Sequence, residues 1–203
     1  MSRTIRAVFS ASIACLLLLG ASTARAQDLA KPLLLVATAD LQGPYAHTAL
    51  IVAPLGDKHF GFILNRATPV TLAKLYPEHA PSAKVADPVY LGGPEVPNAL
   101  FALTRRDPGQ PSIHLFGSLY MTGHAGLIDS IIEKTPNEAR YFAGFVGWMP
   151  EELAAEIEAG YWYVGEAEES LVFRRDTSSL WEELAARLGK EEHASLVRAP
   201  SPN

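Results

Sequence analysis

Two short stretches hold residue types that can recognise a ligand. Asn65 and Arg66 close the apolar run "HFGFILN", just ahead of Thr68-Pro69, which reads as an N-cap with proline at the first helical position. A guanidinium placed there can hold an anion with help from the helix amides. The competing reading is that Asn65 satisfies turn amides while Arg66 lays its stem along a sheet. Gly92-Gly93-Pro94 ends a second apolar run, and its glycines permit either positive φ or the close approach of another chain. A phosphate loop needs a helix directly behind it, and "EVPNAL" is a poor helix start, so this stretch reads as a turn. Trp148 stands beside a helix start and either lines a pocket or plugs the core. Asn65, Arg66, Gly92, Gly93, Pro94 and Trp148 are therefore the candidate ligand-binding residues.

Other chemistry has little to stand on. The six histidines (His47, His59, His79, His114, His124, His193) include no pair at metal-ligand spacing such as His-Glu-x-x-His, so no metal is expected. There is no Gly-x-Ser-x-Gly elbow, Walker loop or GxGxxG after a strand. No catalytic residue and no cofactor are assigned. Ser118, in "FGSLYMT", reads as an ordinary strand residue. A hydrolase or transferase with an unfamiliar site remains the alternative, seeded by His124, Asp129 or Arg66 converging in one pocket.

The elements that must position these residues are short. "KPLLLVAT", "HTALIVAP", "HFGFILN", "VYLGGP", "ALFALT", "SIHLFGSLYMT" and "ESLVF" have strand length and composition. Helices are expected from Thr68-Pro69 through Leu75, and over "HAGLIDSIIEK", where Leu127, Ile128, Ile131 and Ile132 fall at helical spacing. A third is expected from Pro150 to Gly160. A fourth runs from Ser179, paired with Glu182 in a capping box, to Gly189. "PEHAPSAKVADP" reads as an exposed loop. In "YFAGFVGWMPEELAAEIEAGYWYV" a strand thinned by Gly144 and Gly147 leads into the third helix and then another strand. Its alternation puts Phe142, Val146 and Trp148 on one face, with Trp148 buried. Strands outnumber helices without alternating strictly, which argues α+β rather than a doubly wound sheet.

Residues 1–26 have the pattern of a secretory signal: Arg3 and Arg6, the apolar run "AVFSASIACLLLLGA", then "ARA" before Gln27. The apolar run is shorter than the ~20 residues a bilayer span needs, so cleavage is expected, and no later segment is apolar enough to span. The sole cysteine, Cys15, leaves with the signal, so the mature chain holds no disulfide. Losing Arg3, Arg6 and Arg25 moves the formal net charge from −5 to about −8. That sign disfavours nucleic acid and anionic headgroups. The expected organisation is a domain over residues 27–189 with a flexible tail over 190–203.

Taken in order, "LLLVATADLQGPYAHTALIV", "FGFILNR", "VYLGGP", "FAGFVGWMPEELAAEI", "YWYV" and "SLWEELAARLG" resemble the YqgE/AlgH family of small bacterial proteins, over Leu33 to about Gly189. The chain departs from the family pattern in several places. Gly43-Pro44 replaces the usual Asp-Pro, and Ala53-Pro54-Leu55 replaces a Cys-Glu-His-like triplet. Ala67 stands for the usual proline, Met149 for a small residue, and most members look cytoplasmic. The resemblance implies a compact α+β domain with a mixed or antiparallel β-barrel-like core and three to four helices outside. It carries over no activity, cofactor or catalytic set, although members bear a transcriptional-regulator label. The combined expectation is a periplasmic or secreted, non-catalytic binding module of the envelope, whose partner is an envelope protein or a small ligand. A regulatory role, as the label suggests, is a further alternative.

Overall fold

The structure, a computed structural model, describes residues 28–198, with side chains to residue 194. The signal-peptide reading of residues 1–26, Cys15 included, falls outside the described residues. Nine strands, β1 (Leu33–Ala37), β2 (Ala49–Leu55), β3 (Lys58–Ile63), β4 (Tyr90–Leu91), β5 (Glu95–Thr104), β6 (Ile113–Phe116), β7 (Leu119–Thr122), β8 (Ala139–Trp148) and β9 (Trp162–Glu166), form one sheet. Its order is β6-β7-β5-β8-β3-β2-β1-β9, with β4 added beside β8. That β4–β8 pair is parallel and the pairings along the main path are antiparallel. Five α-helices accompany it: α1 (Leu72–Leu75), α2 (Ala125–Lys134), α3 (Glu152–Glu158), α4 (Glu169–Val172) and α5 (Leu180–Arg198).

The sheet curls into a half-barrel. Leu34 and Val36 from β1 share one cluster with Leu119 and Met121 from β7, at the other end of the strand order. Distant strands can meet in that way only across a concave face. Leu171 and Val172 of α4, with Leu180, Leu184 and Leu188 of α5, close this face. The convex face carries two coverings. Leu153 of α3 packs with Leu33, Leu35, Ile63, Val146 and Trp148. Leu72 of α1 and Ile128, Ile131 and Ile132 of α2 pack with Ala102, Ala139 and Tyr141. The run Leu33–Ala37 is buried throughout because its alternate residues serve both faces. The α+β class and barrel-like core match the expectation, with five helices in place of three to four.

The extra helix is α4, where "ESLVF" reads as a strand. Leu171 and Val172 are adjacent and both buried in the concave cluster, which the two-residue alternation of a strand cannot deliver. Four further boundaries differ. Thr71, not Thr68, caps α1, its side chain accepting from Lys74 N–H, while the Thr68 hydroxyl donates to the Val89 carbonyl (2.6 Å). Helix α3 starts at Glu152, beyond Pro150, and the Glu152 carboxylate accepts from Met149 N–H (2.9 Å). The Ser179 hydroxyl donates to Glu183 rather than pairing with Glu182. Helix α5 also runs through Gly189 to Arg198, so the expected flexible tail begins as helix. Gly189 is not a stop signal here. It lies inside α5, where the helix faces Tyr163 of β9.

Strand β8 carries the most consequential difference. Phe142 belongs to the concave cluster, whereas Val146 and Trp148 belong to the convex one, so the expected shared face does not exist. Gly144 has φ +68, and the β5–β8 register shifts between Glu95 and Leu100. One irregular residue inverts the facing of everything beyond it, which is why Phe145 joins Phe142 on the concave side.

Candidate functional site

Arg66 and the Gly92-Gly93-Pro94 turn meet because of backbone pairing. Leu91 N–H donates to the Arg66 carbonyl (2.8 Å), Ile63 N–H to the Gly92 carbonyl (2.9 Å), and Gly92 N–H to the Ala143 carbonyl (2.8 Å). The double glycine thus stitches β3 to β8. A Cβ on Gly93 would lie 2.2 Å from the Phe145 carbonyl, and one on Gly92 2.3 Å from that of Gly144, so the turn is glycine for close backbone approach.

Beside this seam is a cleft of about 330 Å³. It is lined by Pro44, Tyr45, Ile63, Leu91, Gly93, Pro94 and Pro97, and Arg66 supplies the one charged lining group. Ile63 and Tyr45 pack with the cluster under α3, so the cleft opens beside that covering of the convex face. Arg66 Nη2 lies 3.5 Å from the Ala46 carbonyl, and the guanidinium makes no ion pair among the described residues. No helix amides assist it, since α1 begins six residues on and is a single turn. Asn65 has the structural role: its Oδ1 accepts from Ala49 N–H (3.0 Å) and its Nδ2 donates to the His47 carbonyl (2.9 Å). It thereby fixes the loop that carries Tyr45.

Trp148 does not line the cleft. It is 4 % exposed and packs under α3, as a core plug. Its Nε1–H donates to Glu156 Oε2 (2.9 Å), which also accepts from Trp162 Nε1–H (2.8 Å). Burial raises the pKa of the Tyr45 phenol, and the nearby carboxylates of Glu156, Glu95 and Glu152 raise it further, while Arg66 opposes them.

Among the described residues three non-glycines have positive φ: His47 (57), Val96 (47) and Glu151 (67). His47 follows the Pro44–Tyr45 wall, Val96 lies between Glu95 and Pro97, and Glu151 precedes Glu152. Val96 is β-branched and 56 % exposed, so no burial accounts for its conformation. Strain of this kind, on the order of 1–3 kcal/mol per residue, concentrates where a fixed surface is needed.

The residues that seed an enzymatic reading do not converge. His124 precedes α2 and Asp129 lies within it, and neither lines the cleft with Arg66. Of the close polar pairs elsewhere, two involve residues singled out in the sequence. His79 Nδ1 lies 2.9 Å from the Ser82 hydroxyl in the 3-10 turn Ala80–Lys84, a helical turn inside the expected loop. Ser118 is in the β6–β7 turn rather than within a strand, and its hydroxyl donates to Glu169 Oε2 (2.7 Å) while its N–H donates to Oε1. This contact pins the hairpin to α4.

Those two Ser118 bonds, backbone first, hold the Glu169 carboxyl below its ordinary value of 4.5. A depressed folded-state pKa contributes stability that is complete above pH 4.5 and is lost as pH falls through the folded value. The melting temperature of the parent is therefore expected to fall more steeply below pH 4.5 than that of Glu169→Gln. Parallel slopes between pH 5 and 3 would show that the pin contributes nothing.

Arg66, Gly93 and Pro94 of the cleft lining are among the candidates read from the sequence, whereas Pro44, Tyr45, Ile63, Leu91 and Pro97 are not. Tyr45 was visible only as part of a loop, and Pro97 sits in what reads as a poor helix start but is the first part of β5.

A mixed α+β domain built on a curled, largely antiparallel half-barrel is the class these features define. The family model described as AlgH-like matches residues 34–193, and the chain belongs to that family. It is 29 % identical to a UPF0301 protein of Anaeromyxobacter dehalogenans, over 82 % of this chain and 91 % of that one. A UPF0301 protein of Chlorobium luteolum is 30 % identical, over 80 % and 88 % respectively. Among solved structures, the AlgH protein of Pseudomonas aeruginosa superposes with a TM-score of 0.65 at 22 % identity, covering 86 % of this chain and 95 % of that one. A Corynebacterium diphtheriae protein gives 0.65 at 24 %, covering 78 % and 86 %. These two likenesses concern the fold.

Proposed function

We propose that this protein is a non-catalytic binding module that works in the bacterial envelope after export, with the Arg66 cleft as its binding site. The observation that carries the reading is the cleft itself: apolar walls and a single guanidinium with no carboxylate partner among the described residues. Sites for small ligands combine an apolar lining with a few placed polar groups, usually at about 300–1,000 Å³. The cleft is lined by no histidine, serine, cysteine or carboxylate, which favours binding over acid–base or nucleophilic catalysis. Export rests on the pattern in residues 1–26, and an acidic exported chain is poorly suited to nucleic acid.

Two measurements test this. Fractionation with mass spectrometry of the N-terminus is expected to find the protein in the periplasm or medium, starting at Gln27. Capture from envelope extracts is expected to retain a small molecule or partner that Arg66→Ala releases, with the melting temperature within about 2 °C of the parent because Arg66 is only partly buried and makes no ion pair among the described residues. Equal retention by parent and variant removes the site assignment. A cytoplasmic, uncleaved chain removes the envelope.

A further inference from the structure

We propose that the cleft takes a small monocarboxylate with an apolar body, held by its carboxylate on Arg66; this rests on the binding reading above. Size sets the first limit. At ~30 Å³ per water-sized group, 330 Å³ holds about eleven non-hydrogen atoms. A free acid of that size fits within it. Polarity sets the second. Of the lining side chains only Tyr45 and Arg66 carry a donor or acceptor, so the body of the ligand lies against largely apolar walls.

Charge sets the third. Arg66 is the one cation in the lining, and its sole recorded hydrogen bond is the long 3.5 Å contact to Ala46. Its planar fork matches a carboxylate bidentately. One guanidinium balances one negative charge, and the lining offers no second cation. A dianionic phosphate brings a second charge that the apolar walls leave unpaired, which is costly.

The test is calorimetric titration of the full-length chain with 3-phenylpropionate, its amide, phenyl phosphate and a tetrapeptide ending in phenylalanine. Arg66→Gln and Leu91→Trp are run alongside; Leu91 is 37 % exposed, so a larger ring there fills the cleft without entering the core. The acid is expected to bind about ten- to a hundredfold more tightly than its amide, the range of one charge-assisted contact. Arg66→Gln is expected to erase that difference, and Leu91→Trp to abolish binding of both. The proposal is overturned if acid and amide bind equally, if the phosphate or peptide binds more tightly than the acid, or if Leu91→Trp leaves the acid's affinity unchanged. Binding of the amide, phosphate or peptide that Leu91→Trp abolishes, with the acid weaker, overturns the ligand class and leaves the binding module standing. Failure of all four to bind at millimolar concentration overturns the ligand class, and the fate of the binding reading then follows from the Arg66→Ala capture.

Discussion

Trp148→Ala is expected to lower the stability of the domain by about 3–5 kcal/mol, the range for truncating a buried aromatic side chain. The ring ends β8 on the convex face, where it packs with Val146, Leu153 and Trp162. It also lies over β3: a Cβ on Gly61 would come within 3.3 Å of the Trp148 ring, so that glycine makes room for the indole. The substitution removes a second contribution, because Glu156 loses one of the two indole donors that hold α3 against the sheet. Trp148→Phe is the milder change. It deletes the N–H together with part of the indole's volume while keeping an aromatic ring in the core, so it is expected to cost less than Trp148→Ala, about 1–3 kcal/mol. Chemical denaturation of the three proteins gives the comparison directly. A Trp148→Ala midpoint indistinguishable from the parent would mean that the ring is not part of the core.

That expectation comes from local residue order, and it shows which features of the chain could be read without coordinates. Trp148 follows a strand of apolar and aromatic residues and precedes a proline turn, so its burial is legible in the sequence. The facing of Phe142 is not. Alternation predicts it on the side of Val146, and a single positive-φ glycine between them reverses it. Sequence shows that Gly144 is a glycine, but a thinned strand, a bulge and a close approach share that signature. Helix α4 is hidden for a related reason. Four residues of "ESLV" carry too little pattern to separate a helical turn from a strand, and the decision falls to contacts with the concave face and to the Ser118–Glu169 pin. The cleft is legible in halves. Arg66 and the double glycine stand out through their residue types, whereas Tyr45, Leu91 and Pro97 are commonplace until β4 pairs beside β8 and brings them together.

Gly144→Ala is expected to destabilise by about 2–5 kcal/mol, and the size of the effect relative to Gly56→Ala carries the information. Both glycines have similar positive φ, +68 and +65. Each alanine variant therefore incurs the left-handed penalty of about 1–2 kcal/mol. Their surroundings differ. A Cβ at Gly56 meets nothing within 4 Å, because the β2–β3 turn projects outward. A Cβ at Gly144 would lie 2.4 Å from the Gly93 carbonyl oxygen and 2.7 Å from that of Glu95. Those neighbours are backbone atoms and cannot swing aside, so the strand or the turn must move, at a further cost of about 1–3 kcal/mol. The displaced backbone is the edge of the cleft, since Gly93, Pro94 and Pro97 all line it. Gly144→Ala is thus expected to weaken ligand capture as well as stability, while Gly56→Ala leaves capture unchanged. Equal denaturation midpoints for the two variants would show that the Gly93–Gly144 approach is looser than these distances imply, and the double glycine would then need a different explanation.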